Sequence, residues 1–123
     1  MNNILKDFSE FSPEQKQFKK FYINNSGPPW KFAAIISNTE KETSLHYFDL
    51  INITTKSMIL KVEGLVPTLL NINMDIISEA DNEDLIFIKP IITKKTRKIF
   101  FIKNEIISTN NKVYTVSSSI WKI

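Results

Sequence analysis

Four cations in five positions, Lys94, Lys95, Arg97 and Lys98 in ITKKTRKIF, form the densest charge cluster of the chain. Two readings suit them. One is a solvated turn between strands, since turns are polar and exposed. The other is a phosphate contact, on a nucleotide-like ligand or a nucleic acid. A net charge of +3 is too mild for a dedicated nucleic-acid domain, so no nucleic-acid partner is expected. A second feature is the spacing of His46 and Asp49. On a helix, three residues make one turn, within reach of a pair; a satisfied or exposed histidine is the plainer reading. Phe48 and Leu50 flank Asp49 with apolar bulk. Burial disfavours the charged form of a carboxylate, which suits proton uptake near neutral pH. The competing reading is a solvated aspartate or one that caps a turn.

Composition removes other chemistry. The chain has no cysteine, which excludes disulfides, thiolate zinc sites and cysteine nucleophiles. His46 is the one histidine, so a multi-histidine metal centre is excluded and no metal is expected. Gly27 and Gly64 are the only glycines, too few for a P-loop or a dinucleotide fingerprint. A length of 123 residues allows one domain with a real core and is too short for two. No run of apolar residues is long enough to span a membrane. The N-terminal MNNILKDFSEFSPEQKQFKK lacks a basic-then-apolar signal pattern, so a cytoplasmic location is expected.

The elements that must position these groups follow from periodicity. PEQKQFKKFY, 13 to 22, reads as a short helix, with Ser12 as N-cap, Pro13 at the first position and Phe18, Phe21 and Tyr22 as its apolar stripe. NNSGPP ends it. WKFAAIIS, 30 to 37, is a short strand. Residues 38 to 64 admit two readings. As a hairpin, Leu45, Tyr47, Ile51 and Ile53 share a parity and Thr54 to Ser57 turn. As a helix, Thr39 with Glu42 makes a capping box, Gly64 stops the run, and apolar residues surround the rod as in a buried helix.

TLLNINMDII, 68 to 77, alternates as a strand does. Thr68, Leu70, Ile72, Met74 and Ile76 share the dry parity, and Asn71, Asn73 and Asp75 lie on the wetter one. LIFIKPII, KIFFIKNEII and VYTVSSSIWKI follow as strands joined by polar turns, with Pro90 tolerable only at an edge or bulge. Such an antiparallel sheet with an apolar face needs a cover. A helix from about 40 to 62 supplies it and tips the ambiguous segment towards helix. Trp30 and Trp121 are expected in the core or an interface.

This order of parts resembles the hotdog fold of the acyl-CoA thioesterase superfamily, in its phenylacetate-pathway-like, 4-hydroxybenzoyl-CoA-type branch. FDLINITTKSMIL is similar to that family's central helix, VPTLLNINMDI to its first long strand, EADNEDLIFIKPIITKKTRKIFFIKNEI to the next two strands and their basic turn, and NNKVYTVSSSIWKI to the last strand. The resemblance runs from Phe48 to Ile123. It implies an α+β fold: a central buried helix wrapped by a bent antiparallel sheet, here preceded by the short N-terminal helix. Residues 1–29 would be that helix and a linker, and 30–123 the hotdog core of a single domain.

The resemblance also implies acyl-CoA thioester hydrolysis. Asp49 falls where the family carries its acidic base or nucleophile, with His46 as a weaker companion. Lys94, Lys95, Arg97 and Lys98 would meet the phosphates of coenzyme A, which enters as part of the substrate and not as a separate cofactor. A homodimer or larger symmetric assembly is implied. The sequence departs from the family at the helix start, where Glu40, Lys41 and Glu42 stand in place of His-Gly-Gly. Glutamates there oppose an oxyanion and bring Cβ atoms where glycine allows close approach; they also suit capping. Two rivals stay open: a non-catalytic hotdog that binds an acyl or other apolar ligand or serves assembly, and an all-β domain in which 43 to 63 form a hairpin.

Overall fold

The computed structural model describes residues 5–10, 18–24, 30–36, 43–81 and 84–123. The ambiguous segment is a helix. α1 spans Thr43–Glu63, and its buried residues Tyr47, Leu50, Ile51, Thr54, Thr55, Met58 and Ile59 recur at three- and four-residue steps. That spacing makes one continuous stripe on a 3.6-residue helix. The helix is therefore one-sided and not apolar all round: Lys56, Leu60, Lys61 and Val62 are exposed. It ends at Gly64, whose φ of 74° is the left-handed conformation that glycine takes without a Cβ penalty. The Gly64 N–H closes the last turn on the Leu60 carbonyl at 2.8 Å. The proposed cap residues Thr39 and Glu42 lie outside the described residues.

Among the described residues seven strands accompany this rod: β1 Phe8–Glu10, β2 Phe18–Asn24, β3 Phe32–Ile36, β4 Thr68–Ile76, β5 Leu85–Lys95, β6 Ile99–Ser108 and β7 Val113–Lys122. They form one antiparallel sheet in the order β1-β2-β3-β5-β6-β7-β4. The crossover from β3 through α1 to β4 carries the chain to the far edge, and β5 returns beside β3. The helix rests against β5 and β6 at the middle of the sheet.

The expected N-terminal helix is not present over residues 18–22. They belong to β2, which pairs with β1 on one side and β3 on the other. The remainder of the segment, 13–17, lies outside the described residues. Aromatic and β-branched residues in FKKFYIN suit a pleated surface, and two flanking strands satisfy its backbone; tertiary pairing outweighs a local helical pattern. β1 and β2 thereby extend the sheet on the side of residues 1–29.

The face towards α1 holds the main core, with Phe32, Ile86, Ile88, Phe100, Ile102, Ile106 and Trp121. A smaller cluster lies on the opposite, outer face, where Leu5 and Phe8 cover Ala33, Phe87 and Ile107. There the Phe8 and Phe87 ring centroids are 6.0 Å apart. Pro90 sits where β5 has outrun β3: the β3 pairing stops at Ile88, so the missing N–H costs no bond on that side.

β4 departs from strict alternation. Its register with β7 shifts between Leu69 and Asn71, and the extra residue is Leu70. The bulge moves Leu69 onto the inner face with Ile72 and Met74 and leaves Leu70 53% exposed. Ile76, on the same expected dry face, is exposed too, because the strand ends there.

Candidate functional site

Asp49 is carried by the second turn of α1. It is half-buried, between the half-buried Phe48 and the fully buried Leu50. The buried stripe centres near Tyr47, Thr54 and Met58, so at 100° per residue Asp49 projects away from the chain's own sheet. Asn52, Lys56 and Leu60 share that outward side, while Ile53 lies at its border and still packs against the core. His46, one turn earlier, is 6% exposed and turns inward by comparison.

The basic turn lies at the other end of the helix. Lys94 and Lys95 close β5, and Arg97 and Lys98 form the exposed bend before β6. Lys95 Nζ is 2.8 Å from Glu63 Oε1 at the helix C-terminus. Fourteen residues separate Asp49 from Glu63, which is about 21 Å along the axis at 1.5 Å per residue. One protomer thus does not bring Asp49 and the cation cluster together. Among the described residues Lys95 is the one of the four in an ion pair; Lys94 Nζ lies 5.7 Å from the centroid of the Phe101 ring. Glu40, Lys41 and Glu42 lie outside the described residues.

Sequence reasoning did not single out a polar seam beneath the helix. Thr115, Ser117 and Ser119 share the inward parity of β7 with Trp121, and all are buried. Ser117 is the cross-strand neighbour of Asn104, which is fully buried on β6. Asn104 Nδ2 donates to Thr55 Oγ1 across the helix–sheet gap at 3.1 Å. Thr54 Oγ1 donates to the Leu50 carbonyl one turn back at 2.8 Å. Asn104 Oδ1 and Ser117 Oγ accept nothing from the described protein, and desolvating such atoms costs about 1–3 kcal/mol each. The signal was the alternation T-x-S-x-S-x-W in VYTVSSSIWKI, which puts Thr115, Ser117 and Ser119 on the tryptophan's side and Ser118 on the other.

Tyr47 anchors the helix start to the chain leaving β4. Its hydroxyl donates to the Ser78 carbonyl at 3.1 Å and accepts the Ala80 N–H at 2.9 Å. Burial pushes the phenol up to about 12, against the opposing effect of the Ala80 N–H. The folded value lies above the ordinary 10, so the folded state holds this proton more tightly than the unfolded chain does. The corresponding stability is complete below pH 10 and is lost as pH rises through about 12. Urea midpoints followed across that window are expected to fall. Tyr47→Phe should be less stable at neutral pH by about 1–3 kcal/mol, because the Ala80 N–H loses its acceptor, and should show a shallower alkaline decline.

The chain matches no protein-family model, and no curated protein matches it by sequence. Solved structures do match it. A hypothetical thioesterase from Streptococcus pneumoniae TIGR4, crystallised with coenzyme A, superposes with a TM-score of 0.74 at 12% identity, over 86% of this chain and 87% of that one. This is the hotdog fold. Zebrafish thioesterase superfamily member 2 gives a TM-score of 0.69 at 14% identity, over 83% of this chain and 80% of its own. The PaaI protein of the Escherichia coli phenylacetic acid degradation operon gives 0.68 at 9%, over 94% and 82%. The hotdog helix of this chain follows three strands and packs on a seven-stranded antiparallel sheet. The all-β alternative for residues 43 to 63 is overturned: Thr43–Glu63 form a helix that buries its stripe against the sheet. No helix among the described residues is long and apolar enough to cross a membrane.

Proposed function

We propose that this hotdog protein acts on acyl-CoA or a related acyl thioester, as a homodimer, with Asp49 as the acidic residue of the reaction. The observation that carries the reading is the placement of Asp49. It stands half-buried on the outward side of the central helix, in a fold whose neighbours include a protein crystallised with coenzyme A. In this mechanism the Asp49 carboxylate takes a proton from water, the hydroxide attacks the thioester carbonyl, and the carbon–sulfur bond breaks to release the thiolate. The carboxylic acid then returns its proton to that sulfur. Backbone N–H groups at the start of a helix are the donors this reading assigns to the oxyanion.

Dimerisation is supported by β4. It is an edge strand of the sheet, and beside it Leu65, Val66 and Leu70 are 54%, 70% and 53% exposed. An apolar, unpaired edge is the feature that a second copy covers. The 21 Å or so between Asp49 and the basic turn points the same way. A ligand spanning the two, or a partner's turn brought over Asp49, is needed before cations and carboxylate serve one substrate. In this reading Lys94, Arg97 and Lys98 meet the coenzyme A phosphates, while Lys95 is held by Glu63.

A second reading is a non-catalytic hotdog that binds an acyl or other apolar ligand. Glu40, Lys41 and Glu42 at the helix start favour it, since carboxylates repel an oxyanion. Turnover of a panel of acyl-CoA chain lengths by the wild type and by Asp49→Ala separates the two. Hydrolysis that Asp49→Ala removes supports the enzyme. Absence of turnover at every chain length, with coenzyme A or acyl ligands still bound, supports the binding protein.

A further inference from the structure

The outer face of the sheet carries a depression of about 280 Å³ between β4, β7, β6 and β5. It lies on the side of the sheet opposite α1, away from Asp49. Strand register builds it from two adjacent rows: Asn73, Ser118 and Lys103 in one, Asn71, Ile120 and Phe101 in the other. Thr93, the extra residue where the β5–β6 register shifts, closes its rim and donates to the Phe101 carbonyl at 3.0 Å. None of these seven residues belongs to the main core or to the smaller cluster under Leu5 and Phe8.

Three chemistries converge there. The half-buried Phe101 ring offers a flat apolar surface, and Lys94 Nζ lies 5.7 Å from its centroid. Lys103 stands exposed in the adjacent row, two residues further along β6. Asn71 and Asn73 supply amides side by side. Asn73 Nδ2 donates to Asn71 Oδ1 at 3.4 Å, which leaves Asn71 Nδ2 as donor and Asn73 Oδ1 as acceptor on the solvent side. No carboxylate lines the depression. Asp75 and Glu105, the acidic residues of neighbouring register pairs, belong to the next row.

The geometry points to a purine nucleotide site on this outer sheet face: the base stacked on Phe101, its edge read by Asn71 and Asn73, and its phosphates held by Lys94 and Lys103. Base-on-aromatic stacking from a sheet surface is tolerant in geometry and strong in energy. An adjacent donor and acceptor match the amino group and ring nitrogen of adenine, the pairing that asparagine makes with that base. Lysine ammonium groups on flexible stems meet phosphate as point charges, and Lys94 is free to swing from the ring face to a phosphate as the base arrives. The volume suits a base with its phosphates left at the rim, so binding in the micromolar range or weaker is expected, with strong salt dependence. The site lies on the face of the sheet away from the helix and shares only Lys94 with the coenzyme A reading, so Phe101 and Lys103, which that reading does not use, tell the two apart.

Isothermal titration calorimetry with adenosine diphosphate tests it on the full chain. The expected result is saturable binding at one nucleotide per chain. Phe101→Ala should weaken it about tenfold, whereas Phe101→Tyr, which keeps the ring, should bind within about threefold of wild type. Lys103→Glu should weaken it about tenfold and flatten its salt dependence. Asp49→Ala should bind as the wild type does, since Asp49 is on the other side of the sheet. Inorganic phosphate should compete only at far higher concentration than the nucleotide. The inference is overturned by the absence of binding at millimolar nucleotide. It is equally overturned if phosphate competes as well as the nucleotide does, if Phe101→Ala binds undiminished while its melting curve matches wild type, or if Asp49→Ala abolishes binding.

Discussion

Asp49→Ala is expected to lower the rate of acyl-CoA hydrolysis by about 10²- to 10⁴-fold, the usual contribution of a positioned general acid–base group. The loss should appear in kcat more than in KM, because the carboxylate acts on the attacking water and makes no contact with the acyl chain in the ground state. Asp49→Asn should behave the same way, since it keeps the shape and removes the basic oxygen. Asp49 is half-buried on the outward side of α1, apart from the stripe running from Tyr47 to Ile59, so the cost to core packing should be small beside the loss of rate. Release of free thiol, followed with a chromogenic reagent, reads the rate, and urea unfolding reads the fold. A variant that folds normally and hydrolyses as fast as the wild type removes Asp49 from the chemistry. His46 gives a graded companion to this test. It is buried a turn away, so a substitution there that matters only for packing moves stability and rate together.

Trp121→Ala should cost about 3–5 kcal/mol, a large share of the stability of a domain this size. Trp121 is fully buried on the inner face near the end of β7. It stands across from Phe100 on β6 and Leu69 on β4, so its ring bridges three strands. Its Nε1 donates to Ser119 Oγ at 2.8 Å, deep in the polar seam. Alanine leaves a cavity lined by Phe100 and Leu69 and strips Ser119 of its donor. Trp121→Phe refills most of that space and loses only the hydrogen bond, so roughly 1–3 kcal/mol is expected. Urea midpoints at constant m-value provide the measurement. A drop below about 1 kcal/mol for the alanine variant would show that the β4–β7 edge contributes little to the cooperative unit. The edge bearing Leu65, Val66 and Leu70 would then be stabilised chiefly by a partner.

Some features were legible in the residues themselves. β5, β6 and β7 are long runs of alternating or continuous apolar residues bounded by polar segments, and period-2 patterning leaves them little choice; only the extent of the basic turn differs, since Thr93, Lys94 and Lys95 of TKKTR continue β5 and the bend is confined to residues 96–98. Gly64 marked the helix end because left-handed backbone favours glycine. The absence of cysteine and the scarcity of histidine and glycine were equally decisive, since a chemistry cannot be carried by residues that are missing.

Tertiary structure decided the rest. Residues 18–24 have a pattern that fits either a helix or a strand, and pairing with β1 and β3 selected the strand. In residues 43–63, burial against β5 and β6 selected the helix and made it one-sided. The bulge at Leu70 reversed the parity of the first residues of a strand that reads as regular, because one unpaired residue moves a side chain to the other face. No local pattern could place Asp49 and Lys94–Lys98 at opposite ends of one rod, nor set Asn71, Asn73, Phe101 and Lys103 around a single depression. Periodicity reports which face a residue takes within its own element. Distances between elements depend on how those elements pack, and that is a property of the whole chain.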